Sequence, residues 1–140
     1  MKTAIVAALA LVLLVASYAE SATPACKRGS AQAFVAIQPD PNYLVGTIPA
    51  VFNSNPAYFV RRYNCEGRSA FVRRVSLGIY DVRFPGLNPR AVVATAISDE
   101  GVAASAFPLA DGIVRISLRG PIVGNDVMSR RDVPFSVVVY

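Results

Sequence analysis

Ser69–Leu87, SAFVRRVSLGIYDVRFPGL, is the stretch on which the reading of the fold turns. Ala70-Phe71-Val72 runs into Arg73-Arg74-Val75, the short Ser76-Leu77-Gly78 link reverses the chain, and Ile79–Phe84 returns. In the returning arm Tyr80, Val82 and Phe84 fall on one face, and Asp81 and Arg83 fall on the other. Strict alternation of this kind is the signature of a strand with one buried face. Pro85-Gly86 then ends the ladder, because proline has no N–H to give and glycine accepts turn dihedrals. The spacing predicts a β-hairpin.

The flanking chain reads the same way. Ala31–Ile37, Tyr43–Ile48 and Tyr58–Tyr63 are strand candidates, separated by the turn clusters Pro39-Asp40-Pro41-Asn42 and Asn53-Ser54-Asn55-Pro56. After the hairpin, Arg90–Ile97 (RAVVATAI) predicts an apolar strand buried on both faces. Ser98–Gly101 predicts a turn, with Val102–Phe107 returning from it. Asp111-Gly112 is a hairpin signal, since both residues tolerate positive φ. In Ile113–Leu118, Val114, Ile116 and Leu118 share one face, and Arg115 points the other way. Gly120–Arg131 predicts a long polar connection, and Asp132–Tyr140 a terminal strand. Short strands set apart by Pro, Gly, Asn and Asp turns, with no sustained helical period, predict an all-β domain. The expected architecture is a single antiparallel sandwich, jelly-roll-like, or a small barrel.

The N-terminus has the layout of an exported chain. Lys2 precedes the apolar run Ala4–Ala16, and a small, mildly polar stretch follows. This predicts a signal peptide over residues 1–21, cleaved after Ala19 or Ser21. A flexible lead-in (22–30) and one β-domain (31–140) would follow, with no transmembrane segment in the mature chain. About 120 residues would remain, enough for one domain with a genuine core. In that compartment the two cysteines, Cys26 and Cys65, are expected to form a disulfide. It would close a loop of about 39 residues, for which the chain-entropy model gives roughly 4 kcal/mol.

The chain contains no histidine. That removes Ser-His-Asp and Cys-His catalysis, and two cysteines alone cannot build an ordinary zinc site. No catalytic residue, metal or cofactor is expected. The carboxylates are few and sit mostly in turns, and nothing in their spacing places two of them about 5–9.5 Å apart as a glycoside hydrolase requires. The formal net charge is +5, carried almost wholly by arginine. Arg61, Arg62, Arg73, Arg74, Arg83, Arg130 and Arg131 are the candidate polyanion-binding residues, and six of them form adjacent pairs. Neighbours in a strand point to opposite faces, so a mid-strand pair must aim one guanidinium at the core. The escapes are a strand end, an edge strand, a salt bridge from the pair to Asp81, or a subunit interface. The functional alternative is a basic stripe for a polyanion, favoured especially if Arg61, Arg73 and Arg83 share one sheet face.

Phe71-Val72-Arg73-Arg74, Gly78–Leu87 (GIYDVRFPGL), Ala91–Ala96 (AVVATA) and Asp132–Val138 (DVPFSVV) together resemble a loosely defined group of β-rich modules in exported bacterial and phage-tail-associated proteins. In that group a Gly-x-Tyr-x-Val-x-Phe-Pro hairpin arm, a valine-rich strand and a terminal Asp-x-x-Phe strand recur in order. The resemblance covers about half of the mature chain, and it implies a structural module; it points to no particular activity and carries over no catalytic residues. Three functional readings stay open. The first is a secreted, non-catalytic binding or surface-assembly module. The second is a small secreted enzyme or enzyme inhibitor at the cell envelope. The third is a polyanion binder acting through its arginines. The partners these imply are an anionic envelope polymer or a second copy of the chain, as a homo-oligomer, with no specific nucleic acid.

Overall fold

A computed structural model of the chain describes residues 26–27, 29–39, 48–122 and 125–140. The predicted leader and most of the predicted strand at Tyr43–Ile48 lie outside these residues. The described chain forms nine strands: β1 (Ala33–Ile37), β2 (Phe59–Asn64), β3 (Phe71–Ser76), β4 (Ile79–Arg83), β5 (Val92–Ala96), β6 (Ala103–Pro108), β7 (Ile113–Ile122), β8 (Asn125–Arg130) and β9 (Phe135–Val139). One 3₁₀ turn, Pro56–Tyr58, leads into β2, and the Asn55 side chain caps it by accepting from the Ala57 N–H.

The strands make two antiparallel sheets, ordered β2-β1-β9-β5 and β3-β4-β7-β6, with β8 also paired to β7. Leu118 donates to Gly78 O and accepts from Arg131 N–H, so β8 continues the line of β4 along the same edge of β7. The sheets pack face to face as a sandwich, and among the described residues no ladder closes them into a barrel.

The alternation seen in the sequence decides what lies between the layers. Tyr80, Val82, Phe84, Val114, Ile116 and Leu118 from one sheet are fully buried, as are Val35, Ile37, Phe135, Val137 and Val139 from the other. Tyr80 packs on Phe135 across the core, with ring centroids 5.1 Å apart. The turns behave as their residues dictate. Gly78 (φ +62°) closes β3 to β4, and Asp111-Gly112 (φ +59° and +72°) closes onto β7.

Three segments differ from expectation. Arg90–Ile97 is not buried on both faces: β5 is the edge of its sheet, and Val93 is half exposed. The chain after β5 returns next to it without pairing to it: β6 belongs to the other sheet, where it pairs with β7. The expected polar connection Gly120–Arg131 is a hairpin, since β7 runs on to Ile122 and β8 pairs with it across a register shift at Pro121/Ile122. Pro121 and Gly120 read as loop residues, yet the bulge lets a strand carry both.

Cys26 and Cys65 are disulfide-bonded, with Cα atoms 5.1 Å apart. The bond ties the segment ahead of β1 to the turn after β2. Among the described residues, no helix is long and apolar enough to cross a membrane.

Candidate anion-binding face

The pleat that buries Tyr80, Val82, Val114, Ile116 and Leu118 turns their neighbours outward. On the outer surface of the β3-β4-β7-β6 sheet, Arg73, Asp81 and Arg115 stand side by side across β3, β4 and β7, and Phe107 of β6 stands beside Arg115. One row away, Phe71 lies beside Arg83. Four residues along β7, Arg119 lies beside Arg130 of β8. Five arginines thus project from this face, with the Asp81 carboxylate between two of them.

Asp81 is the organising group. Its side chain is completely buried, although it belongs to the outward row. Arg73 reaches it from one side through Nε and Nη2 (3.0 and 2.7 Å), and Arg115 from the other (2.8 and 3.0 Å). Burial alone would raise the Asp81 carboxyl, but the hydrogen bonds from Arg115 and Arg73 outweigh it and hold the group below the usual carboxylate range. The same pairing pushes the Arg115 guanidinium further up. Both guanidiniums keep an open side, with 35% and 41% of their side-chain surface exposed.

Aromatic rings back Arg73 and Arg83. Residues 49–53 run along the outside of β3, where Asn53 and Val72 exchange backbone hydrogen bonds. That places Phe52 under Arg73 (4.5 Å to the ring centre) and Arg83 (5.5 Å). Arg83 also lies over Phe71 at 5.4 Å. Stacked guanidiniums keep their in-plane N–H groups free for an anion.

The other candidates go elsewhere. Arg74 turns inward and is held by Asp132, which sits in the crossover from β8 to β9. Asp132 also accepts from the Gly78 N–H (2.7 Å) and the Tyr80 hydroxyl (2.6 Å). Burial works against the Asp132 charge, but Arg74, Tyr80 and Gly78 together hold its carboxyl below the usual range. Burial, then the neighbouring Asp132, pushes the Tyr80 phenol well above its ordinary value. This is a structural tie, closed to ligands by its own partners. Arg131 faces Glu100 and donates to Pro121 O. Arg61 and Arg62 lie on β2 in the opposite sheet, so Arg61 does not share a face with Arg73 and Arg83.

Of the seven arginines singled out from the sequence, three reach the face: Arg73, Arg83 and Arg130. Arg115 and Arg119 join them and were not singled out. Their signal lay in the alternation of residues 113–119, which sets both opposite Val114, Ile116 and Leu118. Cys26, Cys65 and Glu66 place ligand atoms within 4.8 Å of one another, but both sulfurs belong to the disulfide and are not thiolates. Neither Asp81 nor Asp132 is tuned for proton transfer near neutral pH, since each carboxyl is held ionised.

The chain matches no protein-family model, no curated protein and no solved structure.

Proposed function

We propose that this protein is an exported, non-catalytic binding module that takes an anionic polymer on the arginine face of its β3-β4-β7-β6 sheet. One observation carries the reading: five arginines share a single sheet face, and only two of them, Arg73 and Arg115, pair with the buried Asp81. Such a surface attracts polyanions at long range and releases their counterions on contact. Export is supported by the leader pattern in residues 1–21 and by the Cys26–Cys65 bond, a linkage that belongs to oxidising compartments.

The test is the salt dependence of binding to a sulfated or phosphorylated polymer. Affinity should fall steeply with salt, and the log–log slope should flatten by about one unit for each arginine removed. Arg83→Ala and Arg119→Ala are suitable variants, because neither residue is in an ion pair among the described residues. Arg90→Ala, off the face, should leave the slope unchanged. A slope that ignores Arg83 and Arg119 would contradict the reading.

A second reading, surface assembly by self-association, has its own observation. β5 and β6 form neighbouring edges of the two sheets, carry no charged residue, and expose Val93 and Phe107.

A further inference from the structure

Where the chain passes from β2 to β3 it leaves a cleft of about 260 Å³. Arg62, Tyr63, Asn64, Arg68 and Ser69 line it, with Gly67 and Ala70 completing the wall. We propose that this cleft is a separate binding site for one tetrahedral oxyanion, a phosphate or sulfate group. The proposal does not depend on the arginine face, because the cleft uses none of its arginines.

Three observations carry it. The lining includes two arginines, Arg62 and Arg68, and no acidic residue. Glu66, the acidic residue nearest in sequence, turns away, with Oε1 3.2 Å from Cys26 Sγ. Elsewhere the exposed sides of Arg73 and Arg115 share a counter-charge, whereas neither Arg62 nor Arg68 is in an ion pair among the described residues.

The cleft is also built rather than incidental. Arg62 donates through Nη1 to Ser54 O (3.0 Å) and lies over the Phe59 ring at 5.4 Å, so its plane is fixed with other N–H groups to spare. The turn carrying Arg68 is tied at several points. Gly67 donates to Asn64 O, the Asn64 side chain accepts from Glu66 N–H and donates to Pro85 O, and Cys65 is disulfide-bonded. A guanidinium already held in place, as that of Arg62 is, loses little entropy on taking an anion. The size selects the ligand class: 260 Å³ lies below the range of roughly 300–1,000 Å³ typical of whole cofactor sites and suits one charged group. The Ser69 hydroxyl adds a donor that a tetrahedral anion can use.

The experiment is a ¹H–¹⁵N NMR titration of the oxidised protein with inorganic phosphate at constant ionic strength. Saturating shifts should centre on the amides of Gly67, Arg68, Ser69 and Ala70, with the Arg62 Nε–H following. Arg68→Ala should weaken binding about tenfold with the spectrum otherwise folded, and Arg68→Lys should restore part of it. Sulfate should substitute for phosphate, and acetate should bind distinctly more weakly. Dimethyl phosphate separates the sources: binding as tight as phosphate assigns the site to a diester backbone, and no binding assigns it to a free or terminal group. Shifts that never saturate, acetate binding as tightly as phosphate, or an Arg68→Ala protein with unchanged affinity would each overturn the proposal. Arg83→Ala should leave this titration untouched, so its outcome is distinct from that of the polymer experiment.

Discussion

Asp132 shows how one side chain can join distant parts of the chain. Its carboxylate holds Arg74 of β3, the Gly78 amide of the β3–β4 turn and the Tyr80 hydroxyl of β4, all more than 50 residues earlier in sequence. Asp132→Asn should destabilise the fold by about 3 kcal/mol, because Arg74 would then be left facing the core without its charge partner. Tyr80→Phe should cost about 1 kcal/mol. The pH dependence follows from the directions of the shifts. The carboxyls of Asp81 and Asp132 are lowered in the fold, so their contribution is complete above the unfolded carboxylate value of about 3.9 and fades as pH falls below it. The Tyr80 phenol is raised, so its contribution is complete below about pH 10 and fades above, where the unfolded chain ionises first. Chemical denaturation across pH should show both losses, with the acid limb diminished in Asp132→Asn. The sequence showed that the Arg73-Arg74 pair needed an escape, and Asp81 was legible as a partner because the hairpin places it opposite Arg73. Asp132 was not legible, since nothing local links it to Arg74 58 residues away.

Among the elements, edges and turns carry the consequences. Arg61 and Arg62 lie on β2, the outer strand of its sheet, where charge discourages another strand from pairing. β3 is also an outermost strand, but residues 49–53 cover it, so Arg73 is released for the face. β5 and β6 have neither charge nor cover of this kind among the described residues. If copies associate, they should do so through these edges, and Thr95→Lys on β5 should lower the mass measured by light scattering at high concentration. An unchanged mass in an associating protein would move the interface elsewhere. The turn at Asp111-Gly112 gives a sharper stability test. Gly112 has φ +72°, and a methyl group there would press into the Phe84 carbonyl and lie 3.0 Å from the Leu87 carbonyl. Gly112→Ala should therefore cost more than the usual 1 kcal/mol of a strained glycine replacement, read as a lower midpoint in urea. Strands with clean alternation, β4 and β7 above all, were legible in the sequence. β8 was not, because NDVMSR lacks an apolar alternation and a proline-containing bulge precedes it. Nor was the sheet change between β5 and β6, which depends on which strands find partners rather than on local pattern.

Over the whole molecule, the disulfide and the charge distribution are the features that matter most. Cys26–Cys65 spans 39 residues, and its removal should cost up to about 4 kcal/mol, measurable as a lower denaturation midpoint of the reduced protein. The net charge of +5 is not spread evenly, since one sheet face gathers five arginines, two of them paired with the buried Asp81. Composition revealed the charge, and only the pairing of strands whose partners lie up to 38 residues apart revealed its arrangement. The most direct test is an arginine footprint: modification by a dicarbonyl reagent, read residue by residue by mass spectrometry, with and without a sulfated or phosphorylated polymer. Arg73, Arg83, Arg115, Arg119 and Arg130 should be protected together, while Arg61 and Arg90 should react as before. Protection centred on Arg61 and Arg90, or spread evenly over every exposed arginine, would contradict the assignment of this face as the binding surface.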